Sequence, residues 1–205
     1  MSQVLAAERG TAPARSAAAP RRVRRALAVG VAVALLFLGW VPTLRAVGSA
    51  LVSEDPLESA DVLVVSSASA VGDAFEAATL YREGYAREIL LPGATLERHV
   101  DDLHGLGIPY LPQTELVRAV LEHSGVPSTA IRTLPDRVDG TETEIAATAA
   151  FAAERRPHSL LFVIARSHTA RAGWLLRHAL PGEIKVIVHS PRDDIFDTAS
   201  WWHSR

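Results

Sequence analysis

Apolar positions along the chain fall into one long run and several short ones. From Ala26 to Leu44 the sequence ALAVGVAVALLFLGWVPTL carries no charge. That length is close to the roughly 20 residues that cross a hydrocarbon layer. The pattern predicts a membrane-spanning anchor over 26–44, with Trp40 and Pro42 at its interfacial end. Beyond it the apolar runs are short and rich in β-branched residues. Asp61-Val-Leu-Val-Val-Ser66 has the form of a buried parallel strand. Further strands are expected at Glu88 to Leu91, closed by Pro92-Gly93, and at Ala130 to Thr133, Leu160 to Ile164 and Ile184 to Val188.

Helical spacing occupies the intervals. A helix is expected from Asp73 to Gly84 with Phe75, Ala78, Thr79 and Arg82 on one face, and another over Thr114 to His123. A third begins at Thr141 with Ile145, Thr148, Ala149 and Ala152 aligned, and a fourth covers His168 to Leu180. Asp73 to Glu76 and Thr141 to Glu144 both have capping-box spacing. Residues 94–111, punctuated by Gly and Pro, are expected to form a long lid or binding loop. Strand and helix alternate with short connections, which predicts right-handed βαβ units and an α/β domain built on a mainly parallel sheet.

Composition changes this picture at three points. The chain has 205 residues and no cysteine, so there is room for one ordinary domain and no disulfide or thiolate metal site. Arg21, Arg22, Arg24 and Arg25 precede the apolar run and only Arg45 follows it directly. This asymmetry predicts a cytoplasmic basic arm over 1–25, a linker over 45–59 and an extracytoplasmic domain over 60–205. The small residues Gly48, Ser49 and Ala50 leave open a second reading, a cleaved signal sequence. Finally, the net charge of −2 conceals a split: residues 46–205 carry 22 acidic against 14 basic side chains. An acidic domain without a basic stripe is a poor partner for nucleic acid.

In parallel sheets ligands bind at the carboxyl ends of the strands. That rule selects Ser66, Ser67, Gly93, Thr141, Glu144, Arg166, Ser167, His168 and Arg171. Arg166-Ser-His-Thr-Ala-Arg171 sits where a strand hands over to a helix, whose first amides favour an anion. There His168 is suited to proton transfer and Arg171 to gripping a charged group. Structural alternatives stand beside these roles: Ser167 as an N-cap, Thr141 and Glu144 as a capping pair, His168 and Arg171 as solvated surface. His99, Asp101, Asp102 and His104 are the one group with metal-ligand chemistry, and in a long loop they read as solvated charges, so no metal is expected. No Gly-x-Ser-x-Gly elbow or phosphate-cradling glycine loop is present, which ranks serine hydrolases and P-loop enzymes low.

The order of an apolar N-terminal segment, Ala60-Asp-Val-Leu-Val-Val65, Glu76-Ala-Ala-Thr-Leu-Tyr-Arg-Glu-Gly84, Gly140-Thr-Glu-Thr-Glu144 and Ser167-His-Thr-Ala-Arg-Ala172 resembles the SanA/ElyC/YdcF family of bacterial envelope proteins. The segment from Ile187 to Trp202 also resembles part of that family. The resemblance implies a three-layer Rossmann-like domain, a role in cell-wall or envelope maintenance, and functional positions at Glu76, Thr141, Glu144, His168 and Arg171. It also implies S-adenosylmethionine as a ligand for at least one member. This chain differs from the family in having Ser66-Ser-Ala-Ser69 where a Gly-Gly pair is usual, and Asp73 near a usual arginine. The family also continues into a further helix past the position of Arg205, cover whose loss would expose apolar sheet surface. Two functional classes follow. One is a membrane-anchored protein that binds or processes an anionic small molecule, with His168, Glu144 and Glu76 as reacting groups, or that binds S-adenosylmethionine or a nucleotide. The other is a non-catalytic module that docks on envelope-synthesis proteins.

Overall fold

The computed structural model of the protein describes residues 21–66, 70–95, 99–135 and 137–203. Residues 1–43 and 44–205 form separate compact units. The helix α1 (Arg21–Ala50), whose last seven residues belong to the second unit, is long and apolar enough to cross a membrane, and its apolar stretch is unburied. The helix includes Pro42 and runs beyond the expected 26–44 span into the expected linker, to Ala50. A proline removes only its own N–H bond and bends a helix before it ends one, so flanking turns can carry on past it.

The second unit is built on five parallel strands: β1 (Val62–Val65), β2 (Glu88–Leu91), β4 (Ile131–Thr133), β6 (Ser159–Val163) and β7 (Lys185–His189). They lie in the order β4-β2-β1-β6-β7. A second, two-stranded parallel sheet pairs β3 (Ala94–Thr95) with β5 (Arg137–Val138).

Helices cover both faces of the main sheet. On one face α2 (Ala70–Arg82) and α4 (Gln113–His123) place Ala74, Ala77, Leu80, Val117 and Leu121 against Leu63, Ile89 and Leu161. On the other, α5 (Thr141–Arg155) and α6 (Thr169–Ala179) bring Ile145, Phe151, Ala172 and Leu176 onto Val64, Leu160 and Phe162. All four residues of β1 are buried, because each face of the strand has its own helical layer. This is why the strand reads as a continuous apolar run rather than an alternating one. Each large apolar side chain so buried contributes about 1.5–3 kcal/mol against chain entropy.

Three sequence expectations are corrected. Phe75 does not face the core: it is exposed, and the buried face of α2 runs through Asp73, Ala74, Ala77 and Leu80. Helix periodicity fixes a stripe spacing, and in an alanine-rich helix the small residues can supply the packed side. The stretch 94–111 is not one long loop, since it contains β3 and the short helix α3 (Val100–Gly105). Thr141 and Glu144 do not form a capping box. The Oγ1 of Thr143 instead accepts from the amides of Gly140 at 3.2 Å and Asp139 at 3.0 Å.

The segment between α1 and β1 is strapped onto the domain. Asp55 N donates to Val188 O at 3.0 Å, and the Asp55 carboxylate accepts from Val188 N and from Arg177. Glu58 pairs with Lys185, and Ala60 N reaches Tyr85 O at 2.8 Å. The strap starts beside the first turn of α6, where Ser53 N donates to Thr169 Oγ1 at 2.9 Å and Leu51 O accepts from Ala170 N. It therefore descends the sheet from the carboxyl edge to the amino edge before β1 turns upward.

Candidate functional site

The chain leaves β1 for α2 on one face of the sheet and leaves β6 for α6 on the other. Between these diverging connections lie the carboxyl ends of β1 and β6, the topological switch point of the sheet, where a ligand crevice is expected. Ser66 closes β1 there, and its amide donates to Val163 O of β6 at 3.0 Å. Ser66 is fully buried, and its hydroxyl donates to Oε2 of Glu144 at 2.9 Å. Glu144, 1% exposed, projects inward from the first turn of α5. A carboxylate so deeply buried is costly to hold and persists only with hydrogen-bond partners.

Opposite α5, the first turn of α2 contributes Asp73, which is fully buried. Its spacing from Glu76 looks like a cap in the sequence, but Asp73 lies inside a helix that already begins at Ala70. One turn on, Glu76 accepts from His189 Nε2 at 3.2 Å and from the backbone of Arg192 at 3.3 Å, and it pairs with the Arg192 guanidinium at 3.2 Å. Arg192 also forks onto both carboxylate oxygens of Glu83. The hydrogen bond from Arg192 holds the Glu83 carboxyl below the usual glutamate range, and the bond to Glu83 raises the guanidinium further. Glu76 is thus tied into the segment after β7, away from the Ser66–Glu144 pair.

From β6 the chain enters a single 3-10 turn, Arg166–His168, before α6. The Arg166 amide donates to Oδ2 of Asp194 at 2.7 Å, while Oδ1 of the same side chain accepts from Phe196 N at 2.7 Å. Asp194 therefore staples the C-terminal segment over the end of β6. The Nε–H of Arg166 is buried and meets no acceptor among the described residues. Ser167 is half-buried, and His168 is exposed without a side-chain cap. Arg171 is exposed and pairs with Glu142 of α5 at 2.9 Å, which ties together the first turns of α5 and α6. Thr141 is half-buried on that first turn of α5.

Of the residues selected from the sequence, Ser66, Thr141, Glu144, Arg166, Ser167, His168 and Arg171 lie at or beside the carboxyl ends of β1 and β6 and the first turns of α5 and α6. Of these, His168 and Arg171 are exposed. Gly93 lies apart, at the end of β2, where its carbonyl accepts from Thr114 Oγ1 at 3.0 Å. Ser67 lies outside the described residues. Sequence reasoning gave Asp73 only a capping role and did not select Asp194 or His189. Only Asp194 carries a readable signal, the Asx pattern in which a side chain bonds the amide two residues ahead.

Beyond the end of β2 the chain runs through Leu91-Pro92-Gly93-Ala94-Thr95. The cavity between Ser66, Gly93, Thr114 and Val117 is about 10 Å³, room for one water at most. The donors in the loop after β3 are engaged elsewhere. His99 pairs with Asp102 at 2.9 Å and His104 bonds Tyr110 O, and no group of three or more His, Asp or Glu converges as a metal site among the described residues. The larger cavity, about 560 Å³, lies at the amino edge between Arg156, His158, Pro181 and Glu183, away from the carboxyl ends of β1 and β6.

No protein-family model matches the chain, and no curated protein or solved structure matches it.

Proposed function

We propose that this chain is a membrane-anchored envelope protein of the SanA/ElyC/YdcF type, whose Rossmann-like domain binds an anionic small molecule in the crevice between β1 and β6. The observation that carries this reading is the Nε–H of Arg166, a desolvated donor on a charged group with no acceptor among the described residues. A buried donor without a partner costs about 1–3 kcal/mol, and more when charged. A ligand oxygen at that point would recover the loss. The first turn of α6 adds its positive end, with Arg171 at the rim. Glu144 fixes the Ser66 hydroxyl by accepting its hydrogen bond, which leaves the Ser66 oxygen lone pairs oriented by a rigid partner. The apolar helix α1 and the arginine excess before it support an anchor with its N-terminus in the cytoplasm and the domain outside.

The test is a thermal-shift series on the full chain in detergent, with inorganic phosphate, sugar phosphates, nucleotides and S-adenosylmethionine, beside Arg166→Gln. A ligand at a hundred times its Kd adds about 2.7 kcal/mol. For a domain of this size that raises Tm by about 5–10 °C. A shift from a phosphate or sugar phosphate that is absent in Arg166→Gln is the expected result. A folded protein that responds to no anion, or one whose response survives in Arg166→Gln, overturns the reading.

A further inference from the structure

The helix α1 opens on Arg21, Arg22, Arg24 and Arg25, with Val23 between the two pairs. All four arginines are exposed, and none forms an ion pair among the described residues. At 3.6 residues per turn they fan over about one half of the helix circumference, with Val23 on the opposite side. The first turn of the helix holds no acidic residue, and Glu8 is the only acid in the sequence before Glu54.

Such a start works against the helix that it opens. The N-terminal end of a helix carries partial positive charge, so cations there are unfavourable. Arg21 is also a like-charged neighbour of both Arg24 and Arg25 on the helix surface, at spacings where repulsion is felt. A local conflict of this kind, unrelieved within the chain, points to compensation from outside it. The adjoining sequence indicates its source, because the uncharged run over 26–44 begins at the very next residue. At 1.5 Å per residue the four arginines span about 6 Å of helix axis, which matches the depth of one headgroup layer.

We propose that Arg21, Arg22, Arg24 and Arg25 form a binding surface for the headgroups of anionic phospholipids. This rests on the anchor reading of α1 given above and on the helix alone. Guanidinium groups present forked N–H pairs that suit phosphate oxygens, and negative charge at this end also relieves the helix dipole. A zwitterionic headgroup carries its own cation beside the phosphate, so a basic cluster next to a membrane span selects lipids of net negative charge. Nucleic acid fits less well: the basic surface ends after five residues against an apolar run that a polyanion in water cannot accommodate.

The absence of native cysteine allows a single label. The full chain, carrying Val23→Cys with a fluorophore, is reconstituted in zwitterionic nanodiscs that contain a trace of spin-labelled phosphatidylglycerol or, separately, of phosphatidylcholine labelled at the same headgroup depth. The anionic lipid should quench at least about threefold more than the zwitterionic one, and the preference should shrink as salt rises. It should vanish when Arg21→Gln, Arg22→Gln, Arg24→Gln and Arg25→Gln are combined. Equal quenching by the two lipids overturns the proposal, as does a preference that survives the four substitutions. If the substituted chain does not enter the discs, a preference in the arginine-bearing chain that salt leaves unchanged overturns it instead. Equal quenching together with retention on heparin assigns the arginines to a soluble polyanion and also overturns it. If the arginine-bearing chain itself fails to co-purify with the discs, the anchor reading falls, and this proposal with it.

Discussion

The hydroxyl of Ser66, at the end of β1, donates to the buried carboxylate of Glu144, 78 residues further along, at 2.9 Å. This bond joins a strand end to a helix start, and it assigns Glu144 a role that helix capping does not explain. Ser66→Ala should destabilise the protein by about 1–3 kcal/mol, because it deprives a buried carboxylate of a donor. Glu144→Gln keeps the volume and an acceptor oxygen and should cost less. Denaturant or thermal unfolding of both variants in detergent checks the order, and equal costs would show that the carboxylate charge is immaterial.

Glycine positions give a prediction of opposite signs. A Cβ on Gly48 would lie 2.6 Å from Trp201 Cδ1 and 2.7 Å from Thr198 O. Gly48→Ala should therefore push Trp201 off the helix, cost about 1–3 kcal/mol as overpacking does, and speed proteolysis of the segment after β7. A Cβ on Gly72, in α2, would meet nothing within 4 Å among the described residues. Gly72→Ala should raise stability by about 0.5–1 kcal/mol through helix propensity.

The Glu83–Arg192 fork sets an acid response. The folded-state carboxyl of Glu83 is lowered, first by the hydrogen bond from Arg192 and then by the charges of Arg192 and Arg82. A depressed carboxyl stabilises the fold above its unfolded pKa, and that contribution disappears as pH falls through the folded value. Carboxyl NMR titration should place Glu83 below ordinary glutamates in the native chain and return it to their range in Arg192→Gln. The same experiment should find Asp197 lowered by the Ser200 hydroxyl and the Ala199 amide, and unmoved by Arg192→Gln.

Thr143 caps α5 from inside the helix, its Oγ1 accepting from Gly140 N and Asp139 N. Thr143→Ala should cost about 0.5–1.5 kcal/mol, whereas Thr141→Ala, which removes no side-chain cap, should be nearer neutral. A pair of melting curves separates them, and the reverse order would restore the capping box read from the sequence.

The apolar runs were enough to find the five strands of the main sheet and four helices behind them, because burial on both faces leaves a local signature in residue type. The two-residue strands β3 and β5 left none, being too short to show a period. The rule that ligands gather at carboxyl strand ends selected Ser66, Glu144, Arg166 and Arg171, all of which lie at the carboxyl edge of the sheet. The sequence alone therefore determined the alternation of elements, the anchor-length apolar run and the charge split across it, since each depends on neighbours in the chain. Only the tertiary structure decided that Glu144 faces Ser66, that Glu76 belongs to His189 and Arg192, that Asp194 clasps Arg166, and that Gly48 is small to admit Trp201. Each of these joins residues tens to more than a hundred positions apart, and spacing along a chain carries no information about which distant side chain will fill a pocket or satisfy a buried charge.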